Sequence, residues 1–177
     1  MRINNIILEI KIGDITDEHV DTIVNAANNT LLGGGGVDGA IHEKGGPSIL
    51  KQCIVHSGCP TGEARITTAG DLPSRYIIHT VGPIYGENSG LEDKLLYNAY
   101  YNSLLLAADY KLTSISFPSI STGAYSFPIE EAIKIVLDVV IDFSKVKTSI
   151  QRINLVLFNE EDYDIYNEYL KNIMSSF

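Results

Sequence analysis

The chain has 177 residues, is 45% hydrophobic and carries a formal net charge of −9. That length suits a single domain, residues 1–177, with one sizeable core; the acidic balance, without a basic stripe interleaved with aromatics, disfavours general nucleic-acid binding. No apolar run is long enough to span a bilayer and no signal-peptide pattern follows Met1, so the expectation is a cytoplasmic monomer with no membrane partner.

Strands are expected at 6–12, 22–25, 64–68, 76–81, 114–117 and 152–158, each rich in β-branched or aromatic residues. A helix is expected over 37–43, and the clearest helices cover 91–110, 129–143 and 161–174, where apolar residues recur at three and four. Alternating strands and helices argue for an α/β layered domain whose largely parallel sheet is covered on both faces. Such sheets bind ligands beyond the carboxyl ends of their strands, so the loops after strands matter most.

Two of those loops contain glycine. The first, Asn25-Ala-Ala-Asn-Asn-Thr-Leu-Leu-Gly-Gly-Gly-Gly-Val-Asp-Gly-Ala-Ile-His42, joins a polar turn to a helix start through four successive glycines. Backbone that must approach a ligand closely tolerates their entropic cost, and the first amides of the following helix face whatever lies above. Gly34-x-Gly36-x-x-Gly39 matches a dinucleotide-binding fingerprint, but residues 28–32 separate the first glycine from its strand and 6–12 is already an earlier strand. The phosphate-cradle motif is excluded because no Lys-Ser or Lys-Thr follows. The second loop, Pro118-Ser-Ile-Ser-Thr-Gly-Ala-Tyr-Ser-Phe-Pro128, can present consecutive amides from Ser121, Thr122, Gly123 and Ala124 as an anion nest before a helix opened at Pro128. Cys53, His56 and Cys59 invite a zinc reading, but no fourth ligand stands at recognisable spacing; buried thiols and a surface histidine are expected instead.

With those loops in place, the chain resembles the macrodomain family, and within it the MacroD-type branch of ADP-ribosyl hydrolases. The resemblance rests on Gly13-Asp-Ile-Thr16, Val24-Asn-Ala-Ala-Asn28, Leu32-Gly-Gly-Gly-Gly-Val-Asp-Gly-Ala-Ile-His42, Cys59-Pro-Thr-Gly-Glu-Ala64, His79-Thr-Val-Gly-Pro83 and Phe117-Pro-Ser-Ile-Ser-Thr-Gly-Ala-Tyr125, in that order. It implies a three-layer α/β/α fold with a central mixed, largely parallel sheet. The branch usually has glycine where this chain has Ser126, and the stretch 68–73 lacks a tyrosine often found there.

Each site residue has a plain reading beside the one the resemblance implies. Asp14 suits a turn or cap; the resemblance assigns it the exocyclic amine of adenine, with the Ile15 amide donating to a ring nitrogen. Phe158 is a core aromatic or an adenine platform, and Asn159 lies beside the proximal ribose. The pyrophosphate is expected between the amides of Ser121, Thr122, Gly123, Ala124 and Tyr125 and the helix start at Gly35, Gly36 and Val37. Local amides reconcile a bound dianion with a charge of −9, because the wider repulsion is screened over about 10 Å.

Asn28 suits a turn, but an amide also offers a donor and an acceptor to hydroxyls of the distal ribose. Asp38 is a favourable carboxylate in a first helical turn, or, as the resemblance implies, a catalytic group by that ribose. His42, four residues on, either orients Asp38 or is an ordinary helix histidine. Tyr125 is expected along the distal ribose; His19, His56 and His79 are read as structural.

The implied partners are ADP-ribose and ADP-ribosylated proteins, and the implied reaction is hydrolysis of the ester between the distal ribose and a Glu or Asp carboxylate, or the acetate of O-acetyl-ADP-ribose. A free carboxylate is a feeble base at neutral pH, so a substrate phosphate oxygen is expected to hold the attacking water while Asn28 and Asp38 fix ribose and water. No metal or other cofactor is implied. The rival is a reader that binds ADP-ribose without turning it over; it has no need of a group that orients water.

Overall fold

The computed structural model describes residues 1–174. Its sheet contains β1 (Arg2–Ile3), β2 (Ile6–Ile12), β3 (Thr22–Ala26), β4 (Ala64–Thr68), β5 (Tyr76–Thr80), β6 (Ser114–Phe117) and β7 (Arg152–Leu157). The strand order is β1-β2-β7-β6-β3-β5-β4, with the five inner strands parallel and the edge strands β1 and β4 antiparallel to their neighbours. The helices are α1 (Gly36–Gly45), α2 (Pro47–His56), α3 (Glu92–Asp109), α4 (Ile129–Phe143) and α5 (Glu160–Met174), and a 3-10 turn spans Ile15–Asp17. None of the described helices is long and apolar enough to cross a membrane.

The two-residue period of the strands separates two cores. Ile153, Leu155 and Leu157 join Ile115, Phe117, Val24 and Ile78 in a cluster with residues of α3, α4 and α5. The alternate residues Ile23, Ile77 and Val156 meet Ile41 of α1 with Ile49 and Cys53 of α2 on the opposite face. This is the three-layer arrangement. Helix α4 belongs to the larger layer because Ala132, Ile133, Val136, Leu137, Val139, Val140 and Phe143 form one broad buried stripe. Phe143 meets Tyr101 of α3 edge to face at 5.7 Å; truncating it to alanine would cost about 3–5 kcal/mol.

Two elements lie outside the sequence expectation. β1 is only two residues long, and α2 buries only Ile49 and Cys53 while its apolar Ile54 and Val55 are exposed, so its apolar residues do not mark one buried face. Its start is nevertheless chemically marked, since Pro47 supplies a preset φ at the first helical position. β7 ends at Leu157, so Phe158 is not part of the strand: it is 82% exposed, which removes the core-aromatic reading. The fold's main consequence is order along one edge. The loops after β2, β7, β6, β3 and β5 stand side by side at the carboxyl ends of the parallel strands, the place where such sheets hold ligands.

Candidate active site

The loop after β3 brings Asn28 and Asp38 to one glycine. Gly33 and Gly36 take positive φ of 93° and 57°, conformations a side chain would strain, and carry the chain into α1. A Cβ at Gly39 would lie 2.8 Å from the Gly34 carbonyl oxygen, so helix and loop can meet this closely only without one. Gly35 precedes α1 and no side chain caps it, which leaves the first amides of the helix facing outward. A Cβ built on Gly34 would sit 3.1 Å from Asp38 Oδ2 and 3.4 Å from Asn28 Nδ2; both groups therefore border the same small space.

Asp38 is buried, and its two oxygens have different surroundings. Oδ1 accepts from Asn25 Nδ2 at 2.7 Å and lies 3.2 Å from His42 Nε2. The i, i+4 relation puts His42 on the same helical face, so it partners Asp38. Oδ2 is the oxygen turned to Gly34 and Asn28. Asn28 is held in turn: its Nδ2 donates to Gly33 O at 2.9 Å and its Oδ1 accepts from Thr30 Oγ1 at 2.8 Å. The turn reading of Asn28 is thus correct as far as it goes, and the same bonds aim its amide at the space beside Asp38.

The loop after β6 is anchored from below. Tyr100 of α3 accepts from the Ile120 amide at 3.0 Å and donates to Pro118 O at 3.2 Å, while Tyr166 of α5 meets Ser119 Oγ at 3.0 Å. Within the loop, carbonyls of Ser121 and Gly123 are taken by the amides of Phe127 and Ser126, and Tyr125 O accepts from the Tyr85 amide. The amides of Ser121, Thr122, Gly123, Ala124 and Tyr125 find no acceptor among the described residues, the arrangement an anion nest needs. Ser121 and Ser126 both adopt positive φ, at 65° and 58°. Serine at 126 therefore holds a left-handed conformation that glycine reaches without strain.

At the other end of the row, Gly13 N donates to Leu157 O at 2.9 Å, which brings the chain leading to Asp14 alongside the end of β7, just before Phe158. Asp14 caps the 3-10 turn, its Oδ1 accepting from the amide and hydroxyl of Thr16. Its Oδ2 lies 2.7 Å from Lys44 Nζ, and this bond, reinforced by Thr16, holds the carboxyl down at about 2. The Ile15 side chain is buried, so only its backbone is left to meet a ligand. Asn159 caps α5, accepting from the Asp162 amide at 2.8 Å. Cys53, His56 and Cys59 do not converge: both thiols are buried, and His56 is half-buried with Nε2 bonded to Ile66 O at 2.9 Å rather than a free surface histidine.

The family model of the Macro domain matches residues 24–136, well over half of the chain. The chain belongs to the Macro domain family. A macro domain-containing protein of Caldanaerobacter subterraneus subsp. tengcongensis is 52% identical over 160 residues, covering 88% of this chain and 91% of that protein. O-acetyl-ADP-ribose deacetylase 1 of Pantoea vagans is 48% identical over 162 residues, covering 89% and 95%. Among solved structures, the Oceanobacillus iheyensis macrodomain with ADP has a TM-score of 0.94 at 49% identity, covering 100% of this chain and 96% of that one. The Trypanosoma brucei macrodomain in complex with ADP-ribose has a TM-score of 0.86 at 40% identity, covering 92% and 68%.

In this macrodomain the expected site residues fall into three groups along one edge: Asp14, Ile15, Phe158 and Asn159; then Ser121 to Tyr125; then Asn28, Gly35, Gly36, Val37, Asp38 and His42. Sequence reasoning missed the groups behind them. Asn25 is a polar residue inside a buried strand, a depleted type there and hence a readable signal. Gly82 is needed because a Cβ there would overlap Ser121 Oγ and Ile120. Lys44 reaches Asp14 from α1, and nothing in its spacing announces this.

Proposed function

We propose that this macrodomain binds ADP-ribose along the carboxyl edge of its sheet and hydrolyses esters of the distal ribose, both those on Glu or Asp side chains of modified proteins and O-acetyl-ADP-ribose. The observation that carries the reading is the buried Asp38 carboxylate, with Oδ1 held by Asn25 and His42 and Oδ2, without a hydrogen-bond partner among the described residues, bordering the space beside Gly34 that Asn28 also borders. Retaining a ligand does not call for a carboxylate fixed in this way, whereas orienting water and ribose for attack does. Likeness to proteins named O-acetyl-ADP-ribose deacetylase supports the hydrolytic part, and likeness to a macrodomain solved with ADP-ribose supports the ligand.

In this scheme Asp14 accepts from the adenine amine, Phe158 covers the base, Asn159 stands by the proximal ribose, and the pyrophosphate lies between the nest and the start of α1. Tyr125 flanks the distal ribose. Asn28 holds its hydroxyls, and Asp38 with a substrate phosphate oxygen positions the water. Without a nucleophilic side chain beside a base in this group, the water attacks directly. The test is incubation with a glutamate-modified protein and, separately, with O-acetyl-ADP-ribose. Release of ADP-ribose and of acetate is expected; tight binding of ADP-ribose with neither product would make the protein a reader.

A further inference from the structure

Behind Asp38 lies a buried polar chain. His79 is wholly buried on β5, and the parallel register pairs it with Asn25 of β3. Asn25 Nδ2 lies 2.7 Å from Asp38 Oδ1 and 3.1 Å from His79 Nδ1. The amide nitrogen has two protons, one for each, so Nδ1 must offer its lone pair. The proton of the neutral ring is then on Nε2, which donates to Thr67 Oγ1 at 2.9 Å; Thr67 passes its own proton to Thr68 O at 3.0 Å. Burial, with His42 and His56 adding to it, pushes His79 down to about 3, so the ring stays neutral and Nδ1 remains an acceptor. The Cys53 thiol packs 3.7 Å from Nε2, and burial raises it to about 11, leaving it uncharged.

Asn25 Oδ1 has no hydrogen-bond partner among the described residues. Leaving such a buried acceptor unpaired costs about 1–3 kcal/mol, and it means the carbonyl end does nothing to fix the amide. Asn side chains rotate broadly about their last torsion. Among the described residues, only the bond to His79 Nδ1 sets the plane of the amide independently of Asp38. We propose that His79 is a positioning residue for the hydrolysis, acting through Asn25 to hold the Asp38 carboxylate with Oδ2 turned to the substrate space. This rests on the hydrolytic reading above.

Three variants separate positioning from mere core filling. His79→Asn keeps an acceptor near the place of Nδ1 but loses the bond to Thr67. His79→Gln reaches the place of Nε2 and Thr67 but loses the acceptor for Asn25, and His79→Leu loses both. Single-turnover hydrolysis, ADP-ribose affinity and melting temperature are measured on each. The rate is expected to fall at least about tenfold in the Gln and Leu variants and to stay within about threefold of wild type in the Asn variant, with affinity changed by less than about twofold in all. A Gln variant as fast as the Asn variant, or rates that simply follow melting temperature, would overturn the proposal. A wild type that binds but never hydrolyses would sink the hydrolytic reading first, and this with it. If the variants do not fold, 15N-histidine spectra of the wild type decide: an unprotonated His79 Nδ1 at neutral pH supports the relay, and a protonated one overturns it.

Discussion

At the β3 end of the loop row, Asp38 is 5% exposed and its Oδ1 is held by Asn25 and His42. At the β2–β7 end, Asp14 keeps 32% of its side chain exposed beside an exposed lysine, and Phe158 is 82% exposed. The first arrangement stores geometry: buried groups with few alternatives keep their orientation before a ligand arrives. The second is built to gain contacts on binding, since an exposed aromatic and a screened ion pair have little to lose and much surface to bury. A site that fixes water for attack needs the former, and a site that holds a base needs only the latter.

The largest loss is expected when the middle of the row is blocked. Gly123→Glu puts a carboxylate into the proposed pyrophosphate space, yet a Cβ there meets nothing within 4 Å, so the fold should tolerate it. ADP-ribose affinity by calorimetry should fall at least about a hundredfold, about 2.7 kcal/mol, while circular dichroism is unchanged. A folded variant that binds as wild type would remove Gly123 from the site.

Next in size is Asp38→Asn, which keeps the volume while exchanging a charge for a dipole. An amide nitrogen turned to Asn25 Nδ2 would face donor to donor, and an oxygen there leaves its donor in the place of Oδ2. Single-turnover hydrolysis should drop at least about tenfold, about 1.4 kcal/mol in the barrier, with a smaller change in affinity. Undiminished rates would take Asp38 out of the mechanism.

Lys44→Met probes the open end. Asp14 sits at about 2, below the ordinary 3.8, so its contribution to stability is fully present above 3.8 and is lost as pH falls toward 2. Without the lysine the folded value should rise, shrinking that contribution and moving its loss to higher pH. Carboxyl NMR titration reads the midpoint directly, and an unmoved midpoint would show that Thr16 alone sets it. Hydrolysis at saturating substrate should be unchanged, in contrast with the β3 end. The smallest effect is expected for Ser126→Gly, which relieves a left-handed serine but loosens the unfolded chain. A net gain of about 0.5–1 kcal/mol should appear as a few degrees in melting temperature; a loss would mean that the serine is not strained.

Much of the fold is legible in the amino-acid sequence. β2, β4, β6 and α4 have the expected bounds, because their alternation or three-and-four spacing is strong and local. The glycine loops are readable too, since four glycines in a row between strand and helix have few purely structural uses. Phe158 is ambiguous because an aromatic at a strand end looks the same whether the last ladder bond includes it or not. α2 hides because its apolar residues run round the helix, with Ile54 and Val55 exposed opposite buried Ile49 and Cys53, although Gly46-Pro47 marks its start.

His79 is the instructive case. Along the chain it is one of two adjacent polar residues, with Thr80, in an otherwise apolar strand, and a satisfied core histidine is a sound reading of that pattern. Its bond to Asn25 depends on β3 and β5 lying side by side, parallel and in one register, although the two residues stand 54 positions apart in the chain. Periodicity assigns a residue to a face; it carries no information on which strand becomes the neighbour or on where a slide of one residue would send the side chain. Local chemistry along the chain therefore announces the strands, helices and glycine loops. The burial that keeps His79 neutral, the register that sets it on Asn25, and the reach of Lys44 to Asp14 arise only when distant segments pack together, because each depends on the neighbour more than on the residue.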